Sequence, residues 1–132
     1  VDTGKFKVGS LVCSGVVALS EYRRLTSEGS EILTNPASLS LIANASLYHQ
    51  QESYLTKFHA VSNARPFVQA SRSGESYILN SNGYPLAKTK GNTGLIAAEV
   101  RTSTKKTIYT LIGEWTLLVG PLLLVIFRRQ LR

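Results

Sequence analysis

The chain has 132 residues, 43% of them hydrophobic, and a formal net charge of +7 from 15 Lys and Arg against 8 Asp and Glu. This length leaves room for one soluble domain at most. The single cysteine, Cys13, excludes an internal disulfide and gives no zinc constellation. The basic residues do not form one stripe with aromatic residues between them, so nucleic-acid binding is not predicted.

The first predicted element is a short strand that leads to Cys13. Residues 6–12 are rich in apolar side chains, and Ser14 and Gly15 follow Cys13 as a turn. A side chain at a strand end before a turn lies at the rim of a sheet, and a following helix favours a thiolate there. Cys13 is therefore the candidate nucleophile. The alternative is that it is a small buried hydrophobic residue.

A helix and a second strand follow. Apolar side chains recur at helical spacing over residues 18–28, and Gly29 is placed to end the helix. Residues 31–35 predict a short strand that Pro36 stops. The order strand, helix, strand predicts a crossover between parallel strands and hence an α/β layer.

The longest predicted helix of the soluble part covers residues 48–64, after a loop over residues 36–47. One face of this helix is predicted to carry Gln51, Leu55, Phe58 and Ser62. Three more strands are predicted over residues 67–70, 76–80 and 94–100. Asn82-Gly83 indicates a hairpin turn after the second of these.

Two histidines are candidate bases for Cys13. Neither His49 nor His59 has a suitably placed acid nearby in the sequence. His59 is interpreted as an ordinary helix histidine, and His49 as a weak binding candidate. The glutamates lack metal-ligand spacing and the glycine-containing loops lack the context of a phosphate-binding motif, so no metal or cofactor is predicted.

The C-terminal part of the chain is apolar and basic. Residues 111–127 approach the ~17–25 residues that a transmembrane helix needs, and residues 107–110 can extend it. A buried amphipathic helix is disfavoured because residues 116–127 have no polar face. Arg128 and Arg129 form a basic stop, which places the C-terminus in the cytoplasm and the α/β part outside it. We therefore divide the chain into an α/β part over residues 1–106 and, over residues 107–132, a transmembrane helix with a basic tail.

Several of these segments, in this order, resemble the carbon–nitrogen hydrolase (nitrilase) superfamily. Residues 8–13 are similar to its nucleophile strand, and residues 31–35 to the strand after the crossover helix. Residues 64–74 are similar to the segment after the long helix, and residues 77–83 to the hairpin that follows it. Residues 112–115, which run into an apolar stretch and then arginines, resemble the last transmembrane helix of the apolipoprotein N-acyltransferase branch.

This resemblance implies the C-terminal half of a four-layer αββα sandwich, followed by one transmembrane helix. It also implies a Glu–Lys–Cys triad, in which Cys13 takes an acyl group from a phospholipid as a thioester and passes it to the N-terminal cysteine amine of a lipoprotein. The family's Glu and Lys come earlier in the fold than residue 1. The chain is therefore expected to be a C-terminal fragment, inactive alone, of a multi-pass cell-membrane protein with an extracytoplasmic α/β domain.

Two departures from the family pattern lie beside the reacting carbon. Ser14 and Gly15 stand where the family has an aromatic residue and then a Glu, and residues 36–45 lack the family's Asp, Trp, Phe and Gly. Two alternatives are therefore kept. One is a degenerate, non-catalytic membrane-anchored scaffold or binding protein, and the other is a membrane-anchored amidase or nitrilase.

Overall fold

In the part of the chain that the structure describes, the strands form one mixed sheet. The computed structural model describes residues 1–40, 46–89 and 94–115, and further on 118, 120–122, 124, 127 and 128. The strands are β1 (Val8–Ser10), β2 (Ile32–Ser38), β3 (Phe67–Arg72), β4 (Tyr77–Leu79) and β5 (Pro85–Lys88). The helices are α1 (Leu19–Ser27), α2 (Ser46–Asn63) and α3 (Ile108–Ile112). Two 3₁₀ turns cover Cys13–Val17 and Gly113–Trp115.

The sheet has the strand order β1-β2-β3-β4-β5, which confirms the α/β class. β1, β2 and β3 are parallel, because the chain crosses over through α1 and then through α2. β4 and β5 form the predicted antiparallel hairpin, with Gly83 at φ +78° in its turn. Gly29, at φ +98°, ends α1 as predicted: its N–H bonds to the carbonyl of Thr26, and the N–H of Ser30 bonds to that of Leu25.

The hydrophobic core lies between the sheet and the two longer helices. Its buried members are Tyr22 on α1, Ala60 on α2, and Leu33, Phe67, Tyr77 and Leu79 on the strands. On the opposite face of the sheet, the register partners Pro36 and Ala70 are both exposed. Among the described residues the helices thus cover one face. On the second face Ile32 and Ile78 are buried, while the exposed Pro36 and Ala70 leave part of it open to a further layer.

Pro36 does not stop the second strand, and that prediction is wrong: β2 continues beyond it. The N–H of Leu33 bonds on the β3 side of the strand, and the N–H of Ile32 bonds on the β1 side. Every second residue of a strand directs its N–H to the same neighbouring strand. Pro36 is an even number of residues after Ile32, so the N–H that proline lacks would face the β1 side. The pairing with β1 has already ended at that level. The proline therefore removes no hydrogen bond from the ladder.

The helix α2 is confirmed, and the face that carries Gln51 and Phe58 is not its buried face. Gln51 and Phe58 are exposed, together with the neighbouring Tyr54 and Val61. The buried side chains are instead Glu52, Thr56, His59, Ala60 and Asn63. This mostly polar stripe lies inward because the sheet and the turn after β1 supply hydrogen-bond partners for it.

The strand predicted over residues 94–100 is not formed, and this segment has no regular secondary structure. Leu95 is 97% exposed, so the apolar residues here do not form a buried row against a neighbouring strand. Further along, the chain is fixed by the buried Arg65, whose Nη1 donates to the carbonyl of Lys105 at 2.7 Å. The hydroxyl of Thr107 donates to the end of α2, and α3 packs beside α1 and α2.

The predicted membrane span over residues 111–127 lies partly outside the described residues, which include only part of residues 116–132. Within the described part of the chain, no helix combines the length and the apolar character needed to cross a membrane. The described side chains at the start of the apolar region are exposed: Ile108, Leu111 and Trp115. The transmembrane helix therefore stays a prediction.

Candidate active site

The candidate nucleophile lies where the carboxyl ends of the parallel strands meet. Cys13 comes shortly after β1, while Asn35 of β2 and Gln69 of β3 are register partners on the neighbouring strands. Asn35 is 0% exposed and Gln69 is 1% exposed. This edge is where ligand sites form in open parallel sheets. The topology thus brings a thiol close to two buried amides.

Cys13 combines an exposed side chain with an unusual backbone conformation. It is the first residue of the 3₁₀ turn Cys13–Val17, here called the Cys13 turn, and its φ is +54°. Such a conformation costs a non-glycine residue ~1–3 kcal/mol and persists only where the surroundings hold it. The turn is also tight, since a Cβ at Gly15 would lie 2.7 Å from the Cβ of Leu11. The thiol is exposed at the rim of the sheet, as the sequence predicts.

Asn35 holds the first residue of the Cys13 turn. Its Nδ2 donates to the carbonyl of Cys13 at 3.0 Å and to the hydroxyl oxygen of Tyr22 at 3.4 Å. That hydroxyl donates in turn to the carbonyl of Thr34 at 3.0 Å. Burial raises the pKa of Tyr22 to about 12, so the phenol stays protonated at neutral pH. The strained start of the turn is therefore fixed from inside the protein.

A buried hydrogen-bond chain leads from Asn35 to a carboxyl group on α2. The Nε2 of Gln69 donates to Oδ1 of Asn35 at 3.4 Å and to Oε1 of Glu52 at 3.0 Å. Glu52 is only 4% exposed, and burial raises the pKa of its carboxyl while nearby His49 lowers it. The salt bridges found among the described residues do not include Glu52. Ionisation of this carboxyl is therefore costly.

Glu52 also lines a polar cavity of about 310 Å³. Its other lining residues are Ser46, His49, Ser53, Ser73, Gly74, Glu75 and Tyr77. Burial raises the pKa of Tyr48, and negative charge on Glu52 and on Cys13 raises it further. Tyr48 is thus within electrostatic reach of both the cavity residue Glu52 and the candidate nucleophile.

His59 is fully buried and is bound to the Cys13 turn. Its Nε2 lies 2.7 Å from the carbonyl oxygen of Val16. Its ring packs on Tyr22, with centroids 4.2 Å apart, and stacks on Phe67 at 5.9 Å. His59 therefore joins α2 to the turn that carries the thiol, and no contact with the thiol itself is found among the described residues.

The sequence reasoning missed Asn35, Glu52 and Gln69 as members of the site. One signal was available for Glu52, since polar side chains recur on α2 at spacings of three or four. These are Glu52, Thr56, His59 and Asn63. Of the other acids, Glu75 pairs with Lys88 at 3.6 Å, and among the described residues no group of three or more His, Cys, Asp and Glu could hold a metal ion.

Glu52→Gln tests the cost of the buried carboxyl. Because burial raises the pKa of Glu52 above 4.5 in the folded state, the folded protein binds this proton more tightly than the unfolded chain. The resulting penalty is complete above the folded pKa and is relieved as the pH falls through it. We therefore expect the variant to gain free energy of unfolding over the wild type as the pH rises from below 4.5 to neutral. Urea unfolding over a pH series measures this gain.

The exposed Glu75 gives the matched control. Glu75→Gln removes a carboxyl from the same cavity without removing a buried charge, so the same pH-dependent gain is not expected. A stability difference for Glu52→Gln that does not change with pH would contradict the prediction.

Comparison with known proteins finds no family model that matches the chain. Among curated proteins, the chain is 29% identical over 136 residues to the apolipoprotein N-acyltransferase of Geobacter metallireducens. The alignment covers 98% of this chain and 26% of that protein, so the chain spans about a quarter of the length of this relative.

Solved structures of carbon–nitrogen hydrolases share the fold. The carbon–nitrogen hydrolase of Helicobacter pylori G27 superposes with a TM-score of 0.58 at 23% identity, over 67% of this chain and 38% of that one. A mutant of the amidase from Nesterenkonia sp. AN1, with the acetamide moiety of fluoroacetamide covalently added at its active-site cysteine, gives a TM-score of 0.56 at 20% identity. That match covers 70% of this chain and 36% of the amidase. The mixed α/β sheet is therefore of the nitrilase type.

Proposed function

We propose, from the similarity to apolipoprotein N-acyltransferase, that this chain is the C-terminal portion of a membrane acyltransferase with Cys13 as its nucleophile. The observation that carries the proposal is the placement of Cys13: an exposed thiol at φ +54°, at the carboxyl edge of a nitrilase-type sheet. The active-site cysteine of the structurally similar amidase carries the acetamide moiety of fluoroacetamide as a covalent adduct. That cysteine therefore acts as a nucleophile, and an exposed thiol on a rigid turn suits the same role.

The proposed reaction has two steps. The thiolate of Cys13 attacks an ester carbonyl of a phospholipid, so that a C–S bond forms and the ester C–O bond breaks. The lysophospholipid leaves with a proton on its oxygen. The N-terminal amine of a lipoprotein's cysteine then attacks the thioester, which forms a C–N bond, breaks the C–S bond and returns the proton to the thiol.

The catalytic base and the stabilising lysine are proposed to lie in a preceding part of the full-length protein. Two observations support this. The chain spans about a quarter of its curated relative, and the second face of its sheet is exposed at Pro36 and Ala70. A further sheet on this face would complete the αββα sandwich implied by the family resemblance. The chain expressed alone is therefore expected to show no acyl transfer.

Exposure to phospholipid without an acceptor tests the proposal. Full-length protein is expected to gain the mass of one acyl group on Cys13, and hydroxylamine is expected to remove it. An unchanged mass together with ammonia release from a simple amide would favour the membrane-anchored amidase instead. An unchanged mass with neither activity would favour the non-catalytic scaffold, which the departures at Ser14 and Gly15 make the main alternative.

A membrane location is part of the same proposal. It is supported by the apolar sequence of residues 111–127 and by the exposed Ile108, Leu111 and Trp115 at its start. Arg128 and Arg129 then place the C-terminus in the cytoplasm, with the α/β domain on the other side.

Cysteine labelling of intact cells tests this orientation. Leu131→Cys in a Cys13→Ser background is expected to resist a membrane-impermeant maleimide until the cells are opened. A cysteine placed at the exposed Asn82, in the β4–β5 hairpin, is the control expected to react in cells whose outer barrier has been made permeable. Labelling of residue 131 before lysis would contradict the orientation, and full extraction of the protein without detergent would contradict the span.

A further inference from the structure

The Cys13 turn is held at both of its ends by buried side chains from other elements. Asn35 binds the carbonyl of Cys13 at the start, and His59 binds the carbonyl of Val16 near the end. Val16 is 1% exposed and His59 is 0% exposed, so water does not compete for this second bond. The left-handed conformation of Cys13 persists only while its surroundings hold it.

The protonation of His59 follows from its contacts. A carbonyl oxygen only accepts, so Nε2 carries the proton and donates to Val16 at 2.7 Å. Among the described atoms, the buried Nδ1 has no hydrogen-bond partner. Burial also lowers the pKa of His59, which keeps the ring neutral near neutral pH. The imidazole is thus a fixed donor and has no geometry for accepting the proton of a thiol through Nε2.

We propose that His59 is a positioning residue, which holds the Cys13 turn through the carbonyl of Val16 and so sets the place of the reacting sulfur. The proposal rests on the proposed role of Cys13 as nucleophile. An error of about 1 Å in the place of a reacting group can cost about 10²-fold in rate. A residue that acts through the turn should therefore affect the chemical step more than substrate binding.

A simpler role for His59 is packing alone, because its ring fills the space between Tyr22 and Phe67. The two roles predict different results for amide replacements. Glutamine places its amide nitrogen near the position of Nε2 of histidine, whereas asparagine reaches only about as far as Nδ1. Packing alone predicts an effect that follows side-chain volume, so that His59→Leu does at least as well as His59→Gln. Positioning predicts that only His59→Gln keeps the bond to Val16.

The test measures acyl transfer by full-length protein in detergent, with phospholipid as donor and a lipopeptide amine as acceptor. We expect His59→Leu and His59→Asn to lower kcat by about 10²-fold with KM within about twofold, and His59→Gln to recover most of kcat. Thr56→Val is the matched control. Thr56 lies one turn from His59 on the same helix, and its buried hydroxyl bonds to Tyr77 of β4. The variant removes this hydroxyl and should leave kcat unchanged.

Hydrogen exchange of the amides in the Cys13 turn gives a readout independent of activity. His59→Leu and His59→Asn are expected to speed this exchange, whereas His59→Gln and Thr56→Val are not. Equal kcat for the glutamine and leucine variants, or unchanged exchange in both defective variants, overturns the proposal. If the wild type forms no acyl adduct, the acyltransferase function fails, and the exchange pattern alone still decides whether His59 holds the turn.

Discussion

Cys13→Ser in the full-length protein is expected to lower acyl transfer by at least about 10³-fold. The hydroxyl has a similar size, but it is far less ionised near neutral pH than a thiol and is a much weaker nucleophile. Because the side chain is exposed, the free energy of unfolding should change by no more than about 0.5 kcal/mol. The variant should therefore fold normally and lack the chemistry.

Intact-mass analysis of wild type and variant after incubation with phospholipid measures this effect directly. Only the wild type should carry a hydroxylamine-labile acyl group. Ser14→Ala provides a control, since it changes the neighbouring exposed residue of the same turn and leaves the thiol in place. Identical masses for wild type and Cys13→Ser, with activity retained in the variant, would end the nucleophile hypothesis.

Asn35→Asp is expected to destabilise the protein by about 3–5 kcal/mol at neutral pH. Asn35 is 0% exposed, so the variant buries a carboxylate that faces the carbonyl of Cys13 and loses the donor to it. Among the described residues, the hydrogen-bond partners of Asn35 are Cys13, Tyr22 and Gln69, so no cation faces the desolvated carboxylate there. Desolvation should raise the folded-state pKa of the introduced carboxyl above its ordinary value of about 3.9.

The pH dependence of this effect has a definite sign. The cost is complete above the folded-state pKa of the new carboxyl and is relieved as the pH falls through it, because the protonated acid can again donate to the Cys13 carbonyl. Asn35→Leu loses the same donor without adding a charge, so its smaller cost of about 1–3 kcal/mol should not vary with pH. Urea unfolding of both variants between acid and neutral pH compares the two. If the free energy of unfolding lost in Asn35→Asp did not change with pH, water would have access to the site despite its burial.

In two places, local sequence could not predict where a strand forms or how far it extends. Pro36 is compatible with β2 only because the pairing of β1 has ended at that level, and the length of β1 is a property of the sheet. Residues 94–100 have apolar side chains suited to a strand but form none. A strand requires a partner with free backbone groups, and local sequence does not indicate whether such a partner is within reach.

Local sequence by itself determined the order of the elements in this protein. Gly29 and Gly83 occupy left-handed backbone positions that end a helix and close a hairpin, and such positions depend on the residue itself. The spacing of apolar residues and the turn signals likewise located α1, α2 and the hairpin. The first strand was located but not its end, because β1 ends at Ser10 and not at Cys13. These features involve interactions over a few residues, which is why they can be recognised without a structure.

Only the tertiary structure decided which face of α2 turns inward and what the Cys13 turn rests on. A periodicity argument places apolar residues inside, yet Glu52, Thr56 and His59 are buried while Phe58 is exposed. The reason is that burial of a polar group is tolerated where a hydrogen-bond partner meets it. Those partners, which are Gln69, Tyr77 and the carbonyl of Val16, come from segments distant in sequence.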